Sequence, residues 1–284
     1  MPNHPHRYSF LILAVAALFL AGWYWNTDQP PVDSDYRSEL DIPYRVPNAE
    51  TDEAENRWHL DLYVPVGTKD FATVVWFHGG GLTKGNKSIP RSLEKQGIAV
   101  VAPNYRLSPR AKSPEYIEDA AAAVAWTVKN IESYGGSRKK IFIAGHSAGG
   151  YLATMVGLDR RWLQVHELRA DDLAGIIPLS GHSITHFTIR AERGIPDFQP
   201  IVDDMAPLYH VRRDAPPVLL ITGDRERELL GRYEETAYFW RMLKVAGHPD
   251  VHLVELKGYD HGGMAEPAFP HLIDFVREQT AKRQ

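Results

Sequence analysis

Seven short apolar runs, at residues 60–64, 72–77, 98–102, 141–145, 174–179, 218–222 and 251–256, recur along the chain with helical patterns between them. Runs such as Val74-Val75-Trp76-Phe77 and Val218-Leu219-Leu220-Ile221 have no polar side to offer water, so the strands they form must be covered on both faces. After Ser113-Pro114, the residues Ile117, Ala120, Ala121, Val124, Val128 and Ile131 keep helical spacing on one face until Gly135-Gly136 stops them. Residues 228–245 and 268–280 read as further helices. This alternation predicts an α/β fold: a mostly parallel central sheet, helices on both faces, and reactive groups at the carboxyl ends of the strands.

The N-terminus has a different character. Residues 8–25 carry no charge, follow Arg7 and end in Trp23-Tyr24-Trp25, and acidic residues Asp28, Asp33 and Asp35 come next. As a helix the run reaches about 27 Å against a hydrocarbon thickness of roughly 30 Å. It reads as an uncleaved signal anchor in preference to a cleaved signal peptide, because bulky residues occupy the place where a small-x-small cleavage site belongs. The charge asymmetry sends the C-terminal part outward, to the extracytoplasmic side, or to secretion if the segment is cleaved. Residues 26–48, rich in Pro and acidic groups, read as a tether. The expected organisation is residues 1–26 as anchor or signal peptide, 27–48 as tether and 49–284 as one catalytic domain.

Composition narrows the chemistry. The net charge of -4 and the scattered Lys and Arg give no basic surface for nucleic acid. The absence of Cys removes disulfides, thiolate metal sites, a cysteine nucleophile and an acylated-cysteine anchor together.

Three strand ends carry the reactive residue types. Gly145-His146-Ser147-Ala148-Gly149 follows Ile141-Phe142-Ile143 and opens the helical stretch 151–158. A G-x-S-x-G between strand and helix is a nucleophile elbow, which lifts the Ser147 hydroxyl into a cleft behind which a helix N-terminus favours negative charge. His78-Gly79-Gly80-Gly81 follows the strand ending at Phe77, and three successive glycines let backbone N–H groups approach an oxyanion. Gly80, Gly81 and Ala148 are the expected donors, and His78 is read as a structural hydrogen-bonder. Gly258-Tyr259-Asp260-His261-Gly262-Gly263 lies between the last strand and the last helix, where a neutral imidazole at His261 would take the serine proton and return it to the leaving group. His252 and His271 fall inside regular elements. The carboxylate that orients the histidine is expected after the strand at 218–222, in Gly223-Asp224-Arg225-Glu226-Arg227-Glu228, with Asp224 and Glu226 as the competing candidates.

Together with Asn104-Tyr105-Arg106-Leu107-Ser108-Pro109, these motifs resemble those of the hormone-sensitive-lipase-like and related carboxylesterase branch of the α/β-hydrolases, in order from about Trp58 to the C-terminus. The resemblance implies hydrolysis of small, short-chain acyl esters through an acyl-serine intermediate, with no cofactor and no metal. In relatives the acid commonly sits three residues beyond the strand-end glycine, which implies Glu226 ahead of Asp224. Two departures stand out: Leu82 follows the glycine run where relatives often have an aromatic residue, and the N-terminal segment is short for a cap. The same triad would serve another acyl hydrolase, such as a peptidase, formamidase or thioesterase. A non-catalytic binding protein on the same scaffold would lack Ser147 or His261.

Residues 180–207 are too long for a simple connection and are expected to fold over the cleft. Within them His182 and His186 are read as loop residues without a completing carboxylate, Arg190, Glu192 and Arg193 as lid or surface charges, and Phe187 and Phe198 as core residues in preference to acyl-pocket lining.

Overall fold

The computed structural model describes residues 35–46 and 57–283. The anchor at 1–26 and the tether residues 27–34, 47 and 48 lie outside the described residues, and the rest of the tether lies within them. Among the described residues no helix is long and apolar enough to cross a membrane.

Eight strands form one sheet: β1 (Tyr36–Pro43), β2 (His59–Pro65), β3 (Phe71–Phe77), β4 (Ala99–Pro103), β5 (Gly136–His146), β6 (Gly175–Leu179), β7 (Val218–Gly223) and β8 (Val251–Leu256), in spatial order β1-β2-β4-β3-β5-β6-β7-β8. The pairs β1 with β2 and β2 with β4 are antiparallel, and every later pair is parallel. The seven expected runs are all strands. Every residue of β3, β4, β6 and β7 is buried, as two covered faces require.

The eighth strand corrects the tether reading. Residues 36–43 pair with β2 from Tyr36 opposite Pro65 to Pro43 opposite His59, and the Tyr36 ring stacks on Tyr63 at 4.5 Å. None of the eight residues of β1 is fully buried, since it is an edge strand: Tyr36, Glu39 and Ile42 are half-buried and the rest are exposed.

Among the described residues the α-helices are α1 (Glu115–Asn130), α2 (Ala148–Leu158), α3 (Arg161–Gln164), α4 (Phe187–Glu192), α5 (Arg232–Val245) and α6 (Ala265–Ala281). Side chains alternate across each strand, so Val75, Phe77 and Ile143 pack with α1, α2 and α5, whereas Val74, Trp76 and Phe142 pack with α6. In α6 the buried Phe269, Leu272, Phe275 and Val276 each contribute roughly 1.5–3 kcal/mol of apolar burial. The long covered sheet brings the C-terminal ends of β3, β5, β6, β7 and β8 to one edge, and the chemistry collects there.

Candidate active site

Ser147 sits between β5 and α2 with φ 56° and ψ -118°, a conformation that costs a non-glycine residue strain energy and that the flanking packing enforces. The packing is tight. A Cβ on Gly145 would stand 2.6 Å from the Phe77 carbonyl oxygen, and one on Gly149 only 2.0 Å from it. The elbow is therefore wedged against the end of β3, and glycine is required at both positions because no side chain fits.

The wedge also brings the glycine run beside the serine, with a Cβ at Gly79 lying 3.4 Å from that of Ser147. Carbonyl and N–H point opposite ways across a trans peptide, so fixing the carbonyl aims the donor. The Gly80 carbonyl accepts from the Thr83 and Lys84 N–H groups, each at 3.1 Å, which turns the Gly81 N–H the other way. The Gly79 carbonyl accepts from His78 Nδ1 at 2.7 Å, which does the same for the Gly80 N–H. His78 is held in turn by stacking on Tyr105 at 4.3 Å and by the Arg57 guanidinium, which donates to the Asn104 Oδ1 and to the Gly85 carbonyl. Tyr105 donates its hydroxyl to the His78 carbonyl. The Asn104-Tyr105 segment thus buttresses the glycine run. The Ala148 N–H is the first of α2, among the helix-end donors that have no partner within the helix.

His261, from the loop between β8 and α6, accepts from Ser147 Oγ at Nε2, 2.9 Å away. Its Nδ1–H donates to Glu228 Oε1 at 2.6 Å. The acid is Glu228, which corrects both sequence candidates. After β7 the chain makes a turn in which the Arg227 and Glu228 N–H groups bond back to the Asp224 carbonyl. That turn carries Glu226 out to solvent and Glu228 inward, where its side chain is 1% exposed. Asp224 also points away from His261: its carboxylate accepts from the Gly258 N–H at 2.6 Å and pins the start of the histidine loop. The expected helix over 228–245 begins only at Arg232, so Glu228 belongs to the turn.

Glu228 Oε2 accepts from the Ser180 hydroxyl at 2.7 Å and from the Gly223 N–H at 3.2 Å, and Oε1 accepts from the Leu229 N–H at 2.9 Å. Burial pushes the Glu228 carboxyl up, but hydrogen bonds from His261, Ser180 and Leu229 together hold it down at about 2. Sequence reasoning missed Ser180 and the buried group behind it. Arg232 donates to the Ser180 carbonyl and to His182 Nε2, and His182 Nδ1–H donates to Glu235 Oε2 at 2.9 Å. His186 caps α4 by accepting from the Thr188 N–H. Arg190 is buried, against expectation, and Phe187 and Phe198 are 37% and 89% exposed and so are not core residues.

Comparisons with known proteins bear on the fold and the family it resembles. The family model described as BD-FAE matches residues 60–172, which include the glycine run and the elbow. Esterase LipC of Mycobacterium tuberculosis is 28% identical over 219 residues, covering 71% of this chain and 52% of LipC. An acetyl esterase of Salmonella choleraesuis is 35% identical over 121 residues, covering 41% of this chain and 36% of the relative. The chain thus spans about half or less of the length of these curated relatives. A truncated carbohydrate esterase from gut microbiota superposes with a TM-score of 0.71 at 20% identity, covering 88% of this chain and 99% of that one. The chain has the α/β-hydrolase fold, and its matched segments are similar to those of carboxylesterase-like members.

In this α/β-hydrolase the residue before the serine also reaches the base. His146 Nε2–H donates to the His261 carbonyl at 2.8 Å, and the two rings lie 4.8 Å apart. Burial and the neighbouring His261 push His146 down to about 4, and burial chiefly does the same to His78. Between about pH 4 and 6.5 the unfolded chain therefore binds protons at these two sites that the folded chain does not. Stability is expected to fall as the pH drops through that window, by up to about 3 kcal/mol for each histidine. Urea midpoints measured from pH 7 to 4 check this, and His146→Gln should make the slope shallower. A midpoint independent of pH over this range contradicts it.

Proposed function

We propose that this chain is a serine carboxylesterase that cleaves small, short-chain acyl esters through an acyl-Ser147 intermediate. The observation that carries the proposal is the unbroken hydrogen-bonded line from Ser147 Oγ through His261 to Glu228, beside inward-turned N–H groups of the glycine run. Names borne by the relatives, esterase and acetyl esterase, support the same reading.

The chemistry follows from the geometry. As Ser147 Oγ attacks an ester carbonyl, His261 Nε2 takes its proton, and the Glu228 carboxylate stabilises the imidazolium that forms. Negative charge gathers on the former carbonyl oxygen, toward which the N–H groups of Gly80, Gly81 and Ala148 are aimed. One such donor is worth about 3 to 4 kcal/mol of activation free energy. His261 then protonates the departing alkoxide, and water, deprotonated by the same imidazole, releases the acid from Ser147. No step calls for a cofactor or a metal.

We further propose that residues 8–25 anchor the chain in a membrane with the hydrolase domain on the extracytoplasmic side. The uncharged run after Arg7 and the acidic residues beyond it support this.

A fluorophosphonate probe tests both statements. The wild-type chain should gain one adduct, mapped by mass spectrometry to Ser147, in the membrane fraction, whereas a chain lacking residues 1–26 should label in the soluble fraction. Folded protein that takes no adduct sinks the serine-hydrolase reading, and a full-length chain labelled only in the soluble fraction sinks the anchor.

A further inference from the structure

Phe187 opens α4 beside the glycine run. A Cβ placed on Gly81 would stand 3.0 Å from Phe187 Cζ, and the Thr188 hydroxyl donates to the Gly81 carbonyl, so α4 and the oxyanion loop are fastened together. The ring cannot retreat inward. Behind it lie the buried imidazoles of His186, with ring centres 4.3 Å apart, and His182, edge-on at 5.5 Å. His182 is gripped between Arg232 and Glu235, and at the far end of α4 Glu192 accepts from the Ser113 N–H and the Tyr116 hydroxyl. One face of Phe187 is thus backed by fixed groups, and the other is open.

The two halves of an ester take different sides of this cleft. His261 delivers its proton to the departing alkoxide, so the alcohol half lies against the His261 loop. The near end of the glycine run, Gly79, abuts Ser147 and His146 on that side, and Phe187 stands at the far end beside Gly81. A group attached to the carbonyl carbon and directed away from His261 therefore meets the Phe187 ring.

We propose that Phe187 is the wall limiting the acyl half of the substrate, so that the site takes acetyl and other very short acyl groups and rejects chains of six carbons or more. This rests on the esterase reading above. The test is kcat/KM for p-nitrophenyl acetate, butyrate, hexanoate and octanoate with the full-length chain and its Phe187→Ala and Phe187→Leu variants. Phe198→Ala, at an exposed site in the same connection, serves as control. The wild type should lose about tenfold or more from acetate to hexanoate, a step within the range that a few methylenes command in a pocket. Phe187→Ala should raise the hexanoate-to-acetate ratio by about tenfold, with Phe187→Leu between and Phe198→Ala unchanged. Phe187→Leu keeps an apolar side chain packed on His186, so it reads the wall even where the alanine variant folds poorly. An unchanged ratio in variants that still hydrolyse acetate overturns the wall alone. A change confined to methyl and hexyl acetates overturns its assignment to the acyl half. Absence of turnover of any ester by the folded wild type overturns both the wall and the esterase reading.

Discussion

Ser147→Ala and His261→Ala are each expected to lower kcat on p-nitrophenyl acetate by about a millionfold, and the double variant should fall no further. The two residues act as one unit, because the hydroxyl sheds its proton during attack along the 2.9 Å hydrogen bond from Ser147 Oγ to His261 Nε2. Without the base the serine is a weak nucleophile, and without the serine the base has nothing bound to activate. What should remain is the fraction of catalysis supplied by the oxyanion donors at the glycine run and by substrate binding, roughly a thousandfold over water. Steady-state rates with highly purified variants, each checked for folding by its thermal midpoint, measure this. Additive losses in the double variant would show that Ser147 and His261 serve separate steps.

Glu228→Gln should lower kcat by about ten-thousandfold with KM little changed, whereas Glu226→Gln should leave both within about twofold. Glu228 Oε1 accepts the His261 Nδ1–H at 2.6 Å and so selects the tautomer with a free lone pair on Nε2. A glutamine can instead present its NH₂ group to Nδ1, which stabilises the other tautomer and leaves Nε2 protonated and unable to accept from Ser147. Glu226 has no such contact and lies exposed. The pH profile gives a second reading of the same prediction. Because Glu228 is held at about 2, below its ordinary value, its charge persists as the pH falls toward 3. The sign follows: the lowered carboxyl stays ionised until the pH nears 2, so a fall in rate caused by its protonation belongs only there. Equal rates for Glu228→Gln and wild type would move the orienting role elsewhere.

Much of the site was legible because its parts are local. A strand buried on both faces must be written in apolar residues, so β3, β4, β6 and β7 declared themselves, and the strand ends told where Gly79 to Gly81, Ser147 and His261 would stand. The elbow glycines are likewise a local demand, since the collision of Gly149 with the Phe77 carbonyl follows from the strand-turn-helix path. The edge strand β1 was hidden for the opposite reason. With one side solvated and the other only partly covered, Arg37, Glu39 and Asp41 are as natural there as in a tether.

Glu228 was hidden by a different physics. Three carboxylates stand at alternate positions from Asp224 to Glu228, all of the right chemical type, and nothing local distinguishes them. The back-bonded turn at Asp224 decides which one faces inward, and it is completed by partners from distant parts of the chain: Ser180 and His261 on one carboxylate, Gly258 on another. The same holds for His182, which lies beyond β6 and meets Arg232 and Glu235 of α5 only once β6 and α5 are packed.

The sequence by itself determined the layered α/β architecture, the elbow serine, the glycine run and the histidine loop, because burial pattern and turn chemistry are properties of neighbouring residues. Only the tertiary structure decided which carboxylate orients His261, that residues 36–43 complete the sheet, and that Phe187 stands open beside the oxyanion loop. Those outcomes depend on side chains far apart in the chain competing for the same buried partners, and that competition is resolved only when the core is closed.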